Sequence, residues 1–492
     1  MVKTMKTEMV IGKYTLESLT NGMYSSPLDL YREYIQNAVD SIDEAVAQGL
    51  INCDEARIDI AVNTELGKIS IRDNGTGIPS ERALQTLIDI GNSKKDQCRN
   101  RGFRGIGRLA GLGYCESLTF VTSSKGEGYR TVVVYDAEKL KSLLIPGQND
   151  DESIYDVLEA VVSSCKEPEK EKKHYFEVQL NGIALKETLM DYGVVSSYLK
   201  QNAPLPFDPK FRWGEEINKK FSIEGYTIPS YNIFLFWNDK KEQLFKPYAD
   251  EIISDRIKKL SDNIKDIQVK VLKTSEDALA IIWYANTNFY GTIVDSNVKG
   301  IRIRQGNILI GDKTTCTHFF KEDRFNGWVI GEVYVLDRRF IANARRDNFE
   351  KNEAYFQLVE CMKEISLEIT KEIRRLSYGR SLSTEKKAIL EKDIIEDVND
   401  LCVEDMTFAS DIDELSLMEE GDSKFEAESD YFSKLSLILG KKNAQTKYSA
   451  LNINDNLTME QRKVLERVFD LIYAEYSSDE ADKISNLIAN KF

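Results

Sequence analysis

The chain has 492 residues, 42% of them hydrophobic and 30% charged, with a formal net charge of −15. This is the balance of ordinary globular domains, and at about 150 residues per domain it predicts about three of them. An acidic total argues against non-specific attraction to nucleic acid, which needs a basic surface; a local basic patch stays open.

The opening stretch, MVKTMKTEMVIGKY, lacks the apolar core of roughly 7–15 residues that a secretory signal needs. Residues 9–24 read as a strand and a short helix. Ser26 and Pro27 supply an N-cap and a first-turn proline for a long amphipathic helix over 28–48, which Gly49 is placed to end. Residues 56–63 and 68–72, rich in Ile and Val, read as strands. A helix over 80–90 leads into a segment rich in Gly, Lys and Arg at 91–113. Strands are expected at 117–123, 129–135 and 175–180, with a charged surface insert at 148–173 between the last two. A helix over 186–201, followed by Ala203-Pro204-Leu205-Pro206, predicts a domain boundary near 204.

From 205 to 376 strands and helices mix, around GIRIRQGNILIGD at 300–312, NGWVIGEVYVLD at 326–337 and NARRDNF at 343–349. The spacing of Leu358, Met362, Ile365, Ile369, Ile373 and Leu376 predicts a packed helix over 353–376. Between Glu391 and Asp430, 16 Asp and Glu face only Lys392 and Lys424, so the rest of the chain is close to neutral. Such a tract is expected to be partly disordered or a solvated linker helix. Capping boxes at Thr458-x-x-Gln461 and Ser477-x-x-Glu480 open two closing helices, whose apolar faces predict a dimer-forming hairpin. The longest apolar run, 278–285, is far short of the roughly 20 residues that span a bilayer. Seven cysteines without a C-x-x-C pair suit free thiols in a reducing cytosol. The expectation is a cytoplasmic protein with no membrane partner.

Three short motifs carry chemistry. Glu33, Asn37 and Asp40 lie at i, i+4 and i+7, on one face of an otherwise apolar helix, where a carboxylate and an amide need partners. Asp73-Asn74-Gly75-Thr76-Gly77 ends a strand 36 residues after Asn37 and makes a good turn. Then Arg101-Gly102-Phe103-Arg104-Gly105-Ile106-Gly107 can turn successive backbone N–H groups toward an anion, beside a helix N-terminus near Gly107. No G-K-[ST] follows, so this is not a Walker A loop.

In this order, and with YSSPLDLYREYIQNAVDSIDEA around the first, the motifs resemble the GHKL ATPases (gyrase, heat-shock chaperone, histidine kinase and MutL types). The closer likeness is to heat shock protein 90 chaperones of the HtpG type, over residues 9–376. The resemblance implies an α+β chain: a GHKL-type α/β sandwich ATPase domain at 1–204, a mixed α/β middle domain at 205–376, and an acidic linker with a helical C-terminal region at 377–492. It implies ATP and Mg²⁺ as cofactors, with Glu33 polarising the attacking water and Asn37 ligating the metal. Asp73 would accept a hydrogen bond from the adenine amino group, and Gly75 and Gly77 would keep Cβ atoms away from the base. Asp40, Asn92, Ser93, Lys95, Gly102, Gly105, Ile106 and Gly107 complete the ATP-binding set, from 91 on as a lid. Arg346, with Arg345 next, matches the arginine that reaches the γ-phosphate across the domain interface.

One departure stands out. The family's late-strand threonine near adenine is missing from His174-Tyr175-Phe176-Glu177-Val178; Thr119 or Thr122 replaces it, or the contact is absent. The implied activity is Mg-dependent ATP hydrolysis driving a chaperone-like clamp, a homodimer acting on client proteins. The alternative is a MORC- or MutL-like switch in a nucleic-acid or defence system, acting with a partner protein. The flanks of His174 and His318 do not resemble a kinase phosphoacceptor helix.

Overall fold

A computed structural model describes residues 12–16, 24, 26–90, 105, 107–145, 147, 153–255, 257–274, 278–381 and 468. Asn92, Ser93, Lys95, Gly102 and Ile106 of the expected lid lie outside the described residues, as do the acidic tract and both capping boxes of the tail. The chain forms two compact units, Met1–Lys371 and Glu372–Phe492. The fold is α+β.

The first long helix of the first unit is α1 (Asp29–Ala47), after a helical turn at 14–16. The expected Ser26 N-cap is not seen: the cap position is Leu28, with no side-chain cap hydrogen bond. Ser26 instead braces the turn before α1, its Oγ accepting the Leu28 N–H at 3.3 Å while its own N–H donates to Asp29. Gly49 ends it with φ +68°, a left-handed turn that glycine adopts without a steric penalty. Leu30, Tyr31, Tyr34, Ile35, Ala38, Val39 and Ile42 are buried on the inner side. They join one core with Ile58, Ile60 and Val62 of β1 (Arg57–Asn63) and Ile69 and Ile71 of β2 (Lys68–Asp73). Both strands alternate buried and half-buried residues, as one-sided sheets require.

After α2 (Ser80–Ile88) come β3 (Ser117–Ser123), β4 (Tyr129–Asp136), α3 (Ala137–Leu143), α4 (Ile154–Val161), β5 (Val162–Pro168) and β6 (Tyr175–Asn181). The charged insert expected at 148–173 is therefore partly regular: Ser153 caps α4 in a capping box, and β5 is a largely exposed edge strand paired with β4. The single helix expected over 186–201 is two, α5 (Lys186–Leu189) and α6 (Tyr192–Asn202). Asp191 makes the break, because its carboxylate accepts the Val194 N–H at 2.8 Å and caps a new helix.

Beyond the Ala203–Pro206 break and α7 (Trp213–Ile223), the chain returns to the first sheet. There β7 (Asn232–Trp237) pairs in parallel with β1, and β8 (Lys240–Gln243) pairs with β7. The resulting sheet has the order β5-β4-β3-β6-β2-β1-β7-β8. A small ribbon, β9 (Glu251–Ser254) with β10 (Leu260–Asn263), precedes a second sheet of β11 (Asp266–Lys273), β12 (Ala278–Asn286), β13 (Gly300–Gln305), β14 (Ile308–Ile310) and β15 (Ile330–Val335). Its order is β11-β12-β15-β13-β14, with β13 and β15 parallel. α8 (Glu353–Ser381) buries Leu358, Met362, Ile365, Ile369 and Ile373 as their spacing predicted, while Leu376, the last of the predicted positions, is only half-buried.

A fully buried ionic group sits in the second sheet. Glu332 accepts both Lys246 Nζ contacts, at 2.9 and 2.7 Å, the Trp283 indole N–H at 3.2 Å, and hydrogen bonds from Arg304 and Tyr334. With two cations against it, the Glu332 carboxyl is held well below the usual range although burial alone would raise it.

Candidate functional site

The site is built along one face of α1. At its C-terminal end lies the D-N-G-T-G turn. The Thr76 N–H donates to Ser41 O at 3.3 Å, and a Cβ on Gly75 would run into the Ser41 side chain and carbonyl carbon. Gly77 has φ +66°, and a Cβ there would strike Ser123 O. Both glycines are thus required by protein atoms packed against the turn, a reason distinct from clearing space for a base. Asn74 is structural as well: its Oδ1 accepts the Arg57 N–H at 2.9 Å, and its Nδ2 donates to Glu55 O at 2.7 Å.

Asp73 is buried, and its Oδ1 accepts the Gly75 N–H at 2.8 Å. Strand register places it in a row. Asp73 stands opposite Phe176 on β6, and Phe176 stands opposite Thr122 on β3. Side chains directly opposite in an antiparallel ladder share a face, so Thr122 belongs to the Asp73 row. Thr119, three residues away, faces the other side. Thr122 also fixes the turn: its Oγ accepts the Ile78 N–H at 2.6 Å. His174 Nδ1 lies 2.7 Å from Gly75 O, a contact in which the ring nitrogen donates. Nothing in the pattern of HYFEV marks that contact beforehand.

At the N-terminal end of the face lies Glu33, 8% exposed. A Cβ on Gly107 would collide with its Oε2, so the end of the lid segment rests directly on this carboxylate. Gly105, two residues earlier, has φ +69°. Tyr34 pins the same segment, accepting the Gly111 N–H at 2.9 Å and donating to Arg108 O at 3.2 Å. On the other side, Arg346 Nε stands 3.4 Å from Glu33 Oε1, and Arg32 Nη2 stands 3.5 Å from the same oxygen. Arg32 also pairs with Asp29 at 3.3 Å and donates to Arg345 O at 3.2 Å. The NARRDNF segment and the first motif therefore meet, and they do so inside one compact unit. Arg345 itself has an exposed side chain.

Arg346 has φ +57°, an uncommon backbone for a non-glycine residue. Its neighbours hold it there: its N–H donates to Asn343 O at 3.1 Å, its carbonyl accepts the Gly311 N–H at 2.9 Å, and Asn343 binds Asp347 across the turn. Tyr24, whose phenol is pushed far up by burial and then by the Glu33 carboxylate, faces Glu33 and Arg346 with a buried hydroxyl that has no hydrogen-bond partner among the described residues.

Asn37 is the one residue between Asp29 and Asp40 that is not buried, while Asp40 is 3% exposed. The fold therefore gathers Glu33, Asn37, Asp40, Asp73, Gly75, Gly77, Gly107 and Arg346 along α1 and its neighbours. Arg32, Tyr34, Thr122 and His174 join them; of these the sequence offered Thr122 only as one of three alternatives, beside Thr119 and the absence of the contact. No helix among the described residues is long and apolar enough to cross a membrane. Residues 30–159, which span α1, the D-N-G-T-G turn, the lid segment and β3–β4, match the family described as histidine kinase-, DNA gyrase B-, and HSP90-like ATPase, so this chain carries an ATPase domain of the GHKL type.

Proposed function

We propose that the chain is an ATP-driven conformational switch of the HSP90-like clamp type. In this reading Asp73 accepts from the adenine amino group with Thr122 beside it, Glu33 is the general base, and Arg346 stabilises the γ-phosphate. The observation that carries it is the meeting of three sequence-distant segments at Glu33: α1, the Gly107 end of the lid, and the Arg346 loop. From Glu33 to Ser41 along the helix is about 12 Å at 1.5 Å per residue, a spacing that suits a nucleotide lying between lid and turn.

The residues fit a magnesium ion bound with substrate phosphates. Such an ion usually keeps several waters and takes only one or two protein ligands. Asn37 offers an amide side chain at a half-buried position in an otherwise buried turn. When bound, the metal would neutralise phosphate charge; Asn37 holds it and Asp40 lies one turn on. Glu33 takes the proton of the attacking water, Arg346 turns from Glu33 toward developing phosphate charge, and the buried Tyr24 hydroxyl, without a partner among the described residues, supplies a donor at the same place.

ATP turnover of the purified chain tests this directly. Glu33→Ala is expected to keep ATP binding and slow hydrolysis by roughly 10²–10⁴-fold; wild-type turnover in that variant would overturn the assignment. A chaperone-like clamp, acting as a homodimer on client proteins, should suppress aggregation of an unfolded protein in an ATP-dependent way. A MORC- or MutL-like switch should instead show ATP-dependent, salt-sensitive DNA binding.

A further inference from the structure

We propose that Arg302 is a positioning residue for Arg346, acting through the β13–β14 hairpin. This rests on the reading of Arg346 given above. Arg302 is 1% exposed, and its guanidinium donates to Asn297 O at 2.6 Å, Ser296 O at 2.9 Å and Gln201 Oε1 at 3.3 Å. Two residues on, Arg304 donates to the Gln201 carbonyl at 2.8 Å and to Asn307 O at 3.0 Å. The Gln201 side chain then closes on Asn297 Oδ1 at 2.9 Å. The start of the hairpin is thus fastened to the last turn of α6.

The far side of the same hairpin holds the arginine loop at two points. Gln305 Nε2 donates to Phe340 O at 2.9 Å, just before NARRDNF, and the Gly311 N–H donates to the Arg346 carbonyl at 2.9 Å. Gly311 has φ +71°, and a Cβ there would meet Asp347 O at 2.6 Å, so the hairpin exit and the loop are in close backbone contact. The circuit closes through α1. Tyr198 on α6 donates to Asp29 at 3.0 Å, Tyr31 donates to Leu189 O at 2.7 Å, and Arg32 reaches Arg345 O at 3.2 Å.

A ring of hydrogen bonds running α1, α6, β13, β14, Arg346 loop and back to α1 over-determines where Arg346 stands. That is what a residue held at φ +57° needs. Arg304 is also tied to the buried Glu332 carboxylate, whereas all three acceptors of Arg302 belong to Asn297, Ser296 and Gln201 around the start of the hairpin, and its planar fork binds them in a geometry that lysine cannot reproduce.

The test is a double-mutant cycle on ATP turnover. Arg302→Lys is made in the wild-type and in the Arg346→Ala background. Gln201→Leu, at a half-buried position, serves as the milder variant should the first fail to fold. In the wild-type background each is expected to lower kcat by roughly 10–100-fold, the scale of a small displacement of a catalytic group, with KM for ATP within about threefold. In the Arg346→Ala background neither should lower kcat further. An equal fold-loss in both backgrounds, or unchanged kcat in the wild-type background, would overturn the proposal. If Arg346→Ala alone turns over ATP at the wild-type rate, the reading of Arg346 fails instead, and the single-variant rate identifies that case.

Discussion

Asp73 and Thr122 stand in one cross-strand row through Phe176, and it is this row that we propose reads the base. Asp73→Asn exchanges an acceptor for a group able to present NH₂ to another donor. It should weaken ATP binding by about 1.5–3 kcal/mol, tenfold or more, in calorimetry with the fold intact. Thr122→Val keeps the shape but orphans the Ile78 N–H. A buried unpaired donor costs about 1–3 kcal/mol, so this variant should lose thermal stability along with affinity, whereas Thr119→Val should leave ATP affinity within twofold or so, as befits a surface away from the row. At the other end of the site, Arg346→Ala should depress turnover by about 10³-fold where the residue acts as a finger, with nucleotide affinity changed only a few-fold. Arg345→Ala should do much less, because the contact Arg345 makes with Arg32 is through its backbone carbonyl and survives truncation.

At the scale of elements, periodicity and turn chemistry made much of the architecture legible. The long first helix, the two Ile- and Val-rich strands, and the spacing of Leu358 to Ile373 each reflect a local rule that the tertiary structure obeys. The failures are equally local. Ser153 and Asp191 are caps inside stretches read as a surface insert and as one continuous helix, and a cap outweighs the weak helical propensity of its neighbours. The pairing of β7 with β1 was not legible, since two strands separated by some 170 residues carry no local mark of each other. The crowding of the turn glycines was not legible for the same reason: Ser41 and Ser123, which press on them, are brought in by the fold. Gly77→Ala should therefore combine a left-handed backbone with a collision against Ser123 O. A loss of well over 1 kcal/mol in denaturant unfolding is expected, and an unchanged midpoint would show that the turn can shift.

Across the whole molecule, the buried group around Glu332 concentrates charge where water does not reach. Glu332→Gln removes the single carboxylate that faces Lys246 and Arg304 among the described residues, and breaking a buried pair from one side typically costs about 3–5 kcal/mol. Replacing Lys246 by Met in the same chain should not repeat that loss, because Arg304 still compensates Glu332. The pH dependence has a definite sign. The folded state holds Glu332 below the ordinary value of 4.5, so the unfolded chain binds its proton first. Its stabilising contribution is complete above about pH 5 and declines as acid carries the pH down toward the depressed folded value. Urea unfolding from pH 7 to pH 3 should show this decline in the wild type and a shallower one in Glu332→Gln.

The parallel pairing of β1 with β7 has a practical corollary for anyone dissecting the chain. Its covalent order and its spatial order disagree, for the strand that shields β1 is encoded after the proline pair that looks like a natural cutting point. A recombinant piece ending at 204 would present β1, with Ile58, Ile60 and Val62, as a raw sheet margin, the kind of edge that recruits other chains. A piece ending near 250 retains β7 and β8 and keeps that margin covered. Size-exclusion chromatography of the two should find the shorter one self-associating and the longer one monodisperse, so the smallest portable nucleotide-binding fragment is larger than its motifs alone require.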